Sequence, residues 1–403
     1  MDEGRVIFHI DVNNAFLSWT AVKLLNEGYK IDIRDIASVI GGDEESRHGI
    51  VLAKSPVAKK YGISTAETLY SARKKCPNLK IFPPEMEYYS KSSKMLFNYL
   101  GKYSPDIEQC SIDECFIDMS HTRYLYKDLI EVAHIIKEDI KKIFGFTVNV
   151  GIGNNKLCAK MASDFEKPNK VHTLFKSEVK DKIWDMSVNE LYMVGRKTSK
   201  KLLEMGIKTI GDLANSDINM LRKHFKSFSE VMWKYANGID NDPIVSISNA
   251  RKSISTSFTL SKDIDDINKL KKILLFQVDE VGVTLRKKNM YTSLITITFK
   301  TKDFVSYSKQ IQLRNATDIM EDIYKHAVSI LEIAWNGEEI RSIGVRLGNL
   351  KFERTEQISL FEKEKPVNID KIQKTIDSIK EKYGSSIITP ASLVEYNKKT
   401  END

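Results

Sequence analysis

The sequence predicts an α+β protein of several domains, and three observations carry that reading. Strand-like and helix-like stretches alternate through residues 5 to 163. The pattern turns all-helical from 176 to 240, and the alternation returns from 251 to 350. Such interleaving marks a sheet with helices packed on a face. A chain of 403 residues is also too long for one hydrophobic core, which suggests two to four domains.

Residues 5 to 12 read as a buried strand ending at Asp11, and 14 to 26 as a helix with Ala15, Leu17, Trp19, Val22 and Leu25 apolar. Residues 36 to 83 hold short strands and a helix near 56 to 61. A helix is predicted over 87 to 103, and Ile107 to Met119 read as two short strands meeting near Asp113. An amphipathic helix spans 125 to 143; Thr147 to Ile152 is a strand leading into a Gly-Asn-Asn turn and a helix through Ser163. Within the helical stretch, Leu191 to Gly206 reads as a helix, a glycine turn and a helix closed by a glycine. Residues 242 to 250 read as a linker. Beyond it, strands are expected near 252 to 260, 291 to 300, 304 to 313 and 340 to 349, with helices near 265 to 288 and 316 to 335. A last helix carries Ile369, Ile372, Ile376, Ile379 and Tyr383 on one stripe and stops at Gly384.

Composition is that of a globular protein, 41% hydrophobic and 29% charged. No apolar run approaches the roughly 20 residues that span a bilayer, and the start of the chain passes straight into a strand rather than a signal peptide. A cytoplasmic protein without a membrane partner is expected. Cys76, Cys110, Cys115 and Cys158 show no metal-binding spacing and read as reduced thiols. The net charge of +7 favours a polyanionic partner, because a basic surface gains from releasing counterions.

Asp11 ends one strand, and Asp113 and Glu114 stand where two others meet. Acidic groups at adjacent strand ends repel one another and gain a purpose around divalent cations, magnesium above all. The plainer alternatives are a capping aspartate and a solvated Asp-Glu turn. Geometry sets a condition on the metal reading. Consecutive strand residues face opposite sides, so Asp113 and Glu114 share a site only if the chain bends or bulges there.

Ile10-Asp11 followed by a helix, Ser111-Ile112-Asp113-Glu114 and Lys167-Pro168-Asn169 occur in an order that closely resembles the Y-family DNA polymerases, in the bacterial DinB and UmuC branch. The resemblance covers nearly the whole chain. It implies a right-hand architecture: palm from 1–14 and 84–174, fingers from 15–83, a thumb with a helix-hairpin-helix at 175–241, a little finger at 251–350 and a tail at 351–403. It implies template-directed, low-fidelity translesion synthesis on primer-template DNA with dNTP, by a monomer using two magnesium or manganese ions.

Residue by residue, the resemblance makes Asp11, Asp113, Glu114 and the Val12 carbonyl metal ligands. Phe16 matches the steric gate against a ribose 2′-hydroxyl; without the resemblance it would read as a core phenylalanine. Lys167 and Lys59 match triphosphate ligands, with backbone amides of Asn14, Ala15 and Phe16 joining them at a helix start. Two departures stand out. Pro56 stands where many relatives have a tyrosine that contacts the triphosphate, so that contact is either lost or taken over by Ser55, and Lys59 replaces an arginine, giving a point charge instead of a fork. Val194, Gly195, Arg196, Lys197 and Lys200 match the thumb hairpin that holds a DNA phosphate, with its second glycine missing; an ordinary helical hairpin is the alternative. Gln357, Leu360 and Phe361 match the peptide that bacterial polymerases insert into the sliding clamp.

Gly41-Gly42-Asp43-Glu44-Glu45 is similar to the hairpin of cyclic-dinucleotide synthases, but its place between Asp11 and the fingers helix makes it a polar loop. A catalytically inert DNA and clamp binder and a nucleotidyl cyclase are the competing readings. The first predicts a missing carboxylate, and the second has no use for the segments after the palm.

Overall fold

The computed structural model describes residues 4–43, 49–246, 251–353, 368–384, 387–388 and 390. These form two compact units, the first reaching residue 246 and the second beginning at 251. Residues 357 to 361, where the clamp peptide is expected, lie outside the described residues, as do 247 to 250 of the expected linker.

The first unit runs through β1 (Ile7–Val12), α1 (Ala15–Asn26), β2 (Ser38–Gly41), β3 (Val51–Lys54), α2 (Pro56–Lys60), α3 (Leu69–Lys75) and β4 (Lys80–Phe82). It continues with α4 (Met86–Leu100), β5 (Ile107–Gln109), β6 (Glu114–Asp118), α5 (Leu129–Phe144), β7 (Val148–Gly153), α6 (Lys156–Asp164) and β8 (Val171–Leu174). Helices α7 (Val179–Ile183), α8 (Arg196–Glu204), α9 (Ile210–Ala214), α10 (Ile218–Phe225) and α11 (Phe228–Ala236) complete it.

Its main sheet has the order β5-β6-β1-β7-β8, with β1 antiparallel to both neighbours. Period-two alternation sorts the central strand. Phe8, Ile10 and Val12 enter the core with Trp19, Leu96, Ile136 and Val150, whereas Ile7 packs with Ala159 of α6. His9 and Asp11 share the α6 side of β1. Fully burying a side chain such as Phe8 or Ile10 is worth about 1.5–3 kcal/mol, so β1 is firmly anchored beneath them.

α6 lies unusually close to β7. A Cβ on Gly151 would stand 2.0 Å from the Ala159 carbonyl oxygen, and one on Gly153 2.6 Å from the Cys158 Cβ. Asn155 caps the helix, accepting from the Cys158 amide at 2.8 Å while donating to the Gly238 carbonyl at 2.9 Å. Elsewhere helix boundaries follow the caps. The expected helix from 125 starts at Leu129, because Asp128 accepts the Ile130 amide and sets the N-terminus.

A separate sheet, β3-β2-β4, carries α2 and α3. β2 and β3 pair across the loop that contains the Gly-Gly-Asp sequence.

The second unit contains β9 (Ser253–Ile264), α12 (Ile267–Lys287), β10 (Thr292–Thr301), β11 (Ser306–Thr317), α13 (Met320–Ala334), β12 (Ile340–Gly348) and α14 (Asn368–Tyr383). Its antiparallel sheet has the order β11-β10-β12-β9. One face, with Ile295, Ile297, Val345 and Leu347, packs under Leu274, Val278 and Ile330 of the helices. α14 is tied to α12 by ion pairs. Asp377 accepts from Arg286 at 3.0 Å and Lys380 donates to Asp279 at 2.5 Å, whereas Ile372 and Tyr383 of the predicted stripe are exposed.

Among the described residues no helix is long and apolar enough to cross a membrane. All four cysteines are free, Cys110 exposed and the others buried.

Candidate active site

The β1–β6 ladder places Asp11 and Glu114 as direct cross-strand partners. β6 begins only at Glu114, and Asp113 sits in the preceding bend, where its carbonyl accepts the Val12 amide at 3.0 Å. The bend meets the geometric condition on two consecutive acids. The Ser111 hydroxyl donates to the Asp113 carboxylate at 2.6 Å, holding its side chain.

Burial and like charge both act on the acids. Burial pushes the Asp113 carboxyl up; Ser111 opposes, and the charges of Asp11 and Glu114 push it further up. The Glu114 carboxyl is held down at about 2, by the His9 imidazole and then by Lys160. The His9 contact is long, 3.5 Å from Nε2, so Lys160 at 2.8 Å is the firmer partner.

Two lysines stand among these acids. Lys160 of α6 donates to Glu114 at 2.8 Å and lies 3.9 Å from Asp11 and 3.5 Å from Asp164. Lys167 pairs with Asp11 and, at 2.8 Å, with Asp164. Burial works against the charge on Lys160, but the Glu114 bond and the Asp11 and Asp164 charges outweigh it and raise its pKa. Among the described residues no three His, Cys, Asp or Glu side chains are drawn together as a metal shell. The donor set still fits a hard divalent cation: carboxylate oxygens from two strands and a bend, their charge balanced here by Lys160 and Lys167.

A buried amide network fixes the approach of Lys167. Asn149 of β7 donates to the carbonyls of Ser163 and Glu166, at 3.0 and 2.7 Å, and accepts from Asn13 and the Lys170 amide. Asn13 in turn accepts the Asn169 amide at 2.9 Å. The strand end that carries Asp11 is thus tied to the loop that carries Lys167. Sequence reasoning missed Lys160, His9, Asn13 and Asn149. The visible signal was a polar residue inside each apolar strand, His9 in β1 and Asn149 in β7.

Phe16 is partly buried at the start of α1 and stacks on Tyr89, centroids 4.6 Å apart and planes at 10°. The Tyr89 hydroxyl bonds Thr20 at 2.7 Å, fixing the ring beneath. Asn14 precedes α1 in the left-handed region, φ 48°, and Ala15 and Phe16 are its first residues. Lys59 is exposed in the last turn of α2. Ser55 corrects the sequence expectation. It is fully buried as the cap of α2, donating to the Ile36 carbonyl at 2.6 Å and accepting from the amides of Ala58 and Ser38, so its hydroxyl is not offered to a triphosphate.

In the helical part, Gly195 caps α8, and Arg196, Lys197 and Lys200 are exposed. Val194 is buried and its amide already bonds the Leu191 carbonyl at 3.0 Å, so the amides the turn can offer a phosphate start at Gly195. In the second unit, the sheet face opposite the helices carries cross-strand rungs Ser255-Arg346-Thr296-Gln310 and Ser257-Gly344-Thr298-Ser308. A Cβ at Gly344 would meet Ser257 and Thr298 at 2.7 and 2.9 Å, so this glycine keeps the second rung flat.

The family described as impB/mucB/samB matches residues 10–164, and its C-terminal domain matches 251–360. A DNA polymerase IV of Clostridium acetobutylicum is 49% identical over 98% of this chain and 100% of its own length. One of Clostridium kluyveri is 36% identical over 98% and 99%. Among solved structures, the Y-family DNA polymerase chimera Dbh-Dpo4(243-245)-Dbh has the same fold, with a TM-score of 0.76 at 24% identity over 86% of this chain and 100% of that one. A Dbh ternary complex gives 0.61 at 25% identity over 85% and 98%. A polymerase-type palm with carboxylates at its strand ends, matched over nearly its full length, defines the class: the chain belongs to the Y-family DNA polymerases, in the bacterial DinB-like branch. Its activity is error-prone translesion DNA synthesis, in a family that works with divalent metal ions.

Proposed function

We propose that this polymerase joins a dNTP to a primer 3′-hydroxyl at a site built by Asp11, Asp113 and Glu114, with the Val12 carbonyl as a further ligand. The observation that carries the reading is the cross-strand pairing of Asp11 with Glu114, with Asp113 next to it in the bend that opens β6. Two magnesium or manganese ions held there supply a Lewis acid for the attacking hydroxyl and for the leaving pyrophosphate. The chain's own residues do the rest. Lys167, Lys59 and the amides at the start of α1 hold the triphosphate, the Phe16 ring excludes a 2′-hydroxyl, and the amides of Gly195 and Arg196 with Lys197 and Lys200 grip a DNA phosphate.

We assign residues 1–14 and 84–174 to the palm, 15–83 to the fingers, 175–241 to the thumb and 251–350 to the little finger. The separate β3-β2-β4 sheet, the helical run α7 to α11 and the second unit's own core support that division. The open hydroxyl-lined face of the second sheet suits a duplex backbone. The enzyme is read as a cytoplasmic monomer recruited to the sliding clamp by Gln357, Leu360 and Phe361.

Primer extension by the Asp113→Ala variant tests the site. Loss of all detectable extension in a folded variant is expected, and wild-type extension would sink the assignment.

A further inference from the structure

Asp164 closes α6 at the rim of the site, outside the strand-borne carboxylates. It is four residues from Lys160, one turn along α6, and three before Lys167, which lies in the loop after the helix; it pairs with both. Each lysine is shared between Asp164 and the strand acids: Lys160 with Glu114 and Asp11, Lys167 with Asp11.

We propose that Asp164 is a positioning residue that keeps Lys160 and Lys167 at the site while the strand acids are engaged elsewhere, leaving Lys167 aimed at an incoming triphosphate. The inference rests on the function proposed above. A cation bound by Asp11 and Glu114 would take the lysines' partners and repel the ammonium groups, which would then turn to solvent. Asp164 gives both a carboxylate that the strand ligands do not share. Its side chain is 48% exposed, so these pairs add little to folding stability. Their value lies in orientation, since a pre-placed cation loses less freedom when a phosphate arrives.

The test compares wild type, Asp164→Asn and Asp164→Glu in steady-state primer extension. Equilibrium binding of dNTP to the enzyme on a dideoxy-terminated primer-template, with calcium replacing the catalytic ion, is measured alongside. For Asp164→Asn the KM and the calcium-supported Kd for dNTP rise about 5-fold to 10-fold, kcat changes less than about 2-fold, and melting temperature is unchanged; Asp164→Glu restores part of the loss. Unchanged or tighter dNTP binding overturns the proposal, as does a fall confined to kcat. Full activity of Asp113→Ala would instead overturn the metal-site reading beneath it, so the two failures are separable.

Discussion

Gly151 of β7 lies directly under Ala159 of α6, so close that a Cβ would stand 2.0 Å from the Ala159 carbonyl and 2.4 Å from the Ser163 amide. This contact sets the depth of α6 and hence the reach of Lys160 to Glu114. Backbone on both sides leaves no flexible side chain to give way. Gly151→Ala should destabilise the protein by about 3 kcal/mol, read as a lower urea midpoint. A variant as stable as wild type would show that α6 sits further from β7.

Phe16 is held flat on Tyr89, which in turn is fixed by Thr20. Phe16→Ala should lower discrimination against ribonucleotides by about 10-fold or more, with deoxynucleotide incorporation less affected. Competition between matched rNTP and dNTP measures this, and unchanged sugar selectivity removes Phe16 as the gate.

The Asp113 carboxyl is pushed above its ordinary 3.8 by burial and by its acidic neighbours. The folded protein therefore holds that proton more tightly than the unfolded chain does. Its stability contribution is greatest below 3.8 and is lost as pH rises through the folded value. At neutral pH the ionised group is a cost, and Asp113→Asn should raise the melting temperature in chelator by about 1–2 °C. The advantage should shrink toward pH 4. A lower melting temperature at neutral pH would mean that ionised Asp113 is not a net cost to the fold.

Deleting residues 357 to 361 should abolish stimulation by the sliding clamp while leaving distributive synthesis intact. Retained stimulation would place clamp recognition elsewhere.

The fold was largely legible because its elements carry their own local signals. The apolar runs gave β1 and β7, the Gly-Asn-Asn turn gave the start of α6, and the long helical stretches gave α5, α12 and α13, although α5 begins four residues later than expected, where Asp128 caps it. The acids were legible as types but not as a site, since the pairing of Asp11 with Glu114 depends on strands about a hundred residues apart. Lys160 carried no signal, and Asn149 showed only as a polar residue in an apolar strand, for a related reason. A lysine on a helix and an asparagine in a strand acquire meaning only when the Gly151 contact and the loop after α6 bring their partners close. A serine before proline fits both a ligand contact and a helix cap, and in the fold the Ser55 hydroxyl accepts the Ala58 amide as the cap while donating to the Ile36 carbonyl.

The central claim is that Asp11, Asp113 and Glu114 together hold the catalytic ions. Manganese titration followed by the loss of the free-ion paramagnetic resonance signal, at constant dNTP on a dideoxy-terminated primer-template, tests it most directly. Asp113→Asn, folded and at least as stable as wild type, should bind protein-associated manganese about 10-fold more weakly or worse. Wild-type manganese binding by that variant would contradict the account.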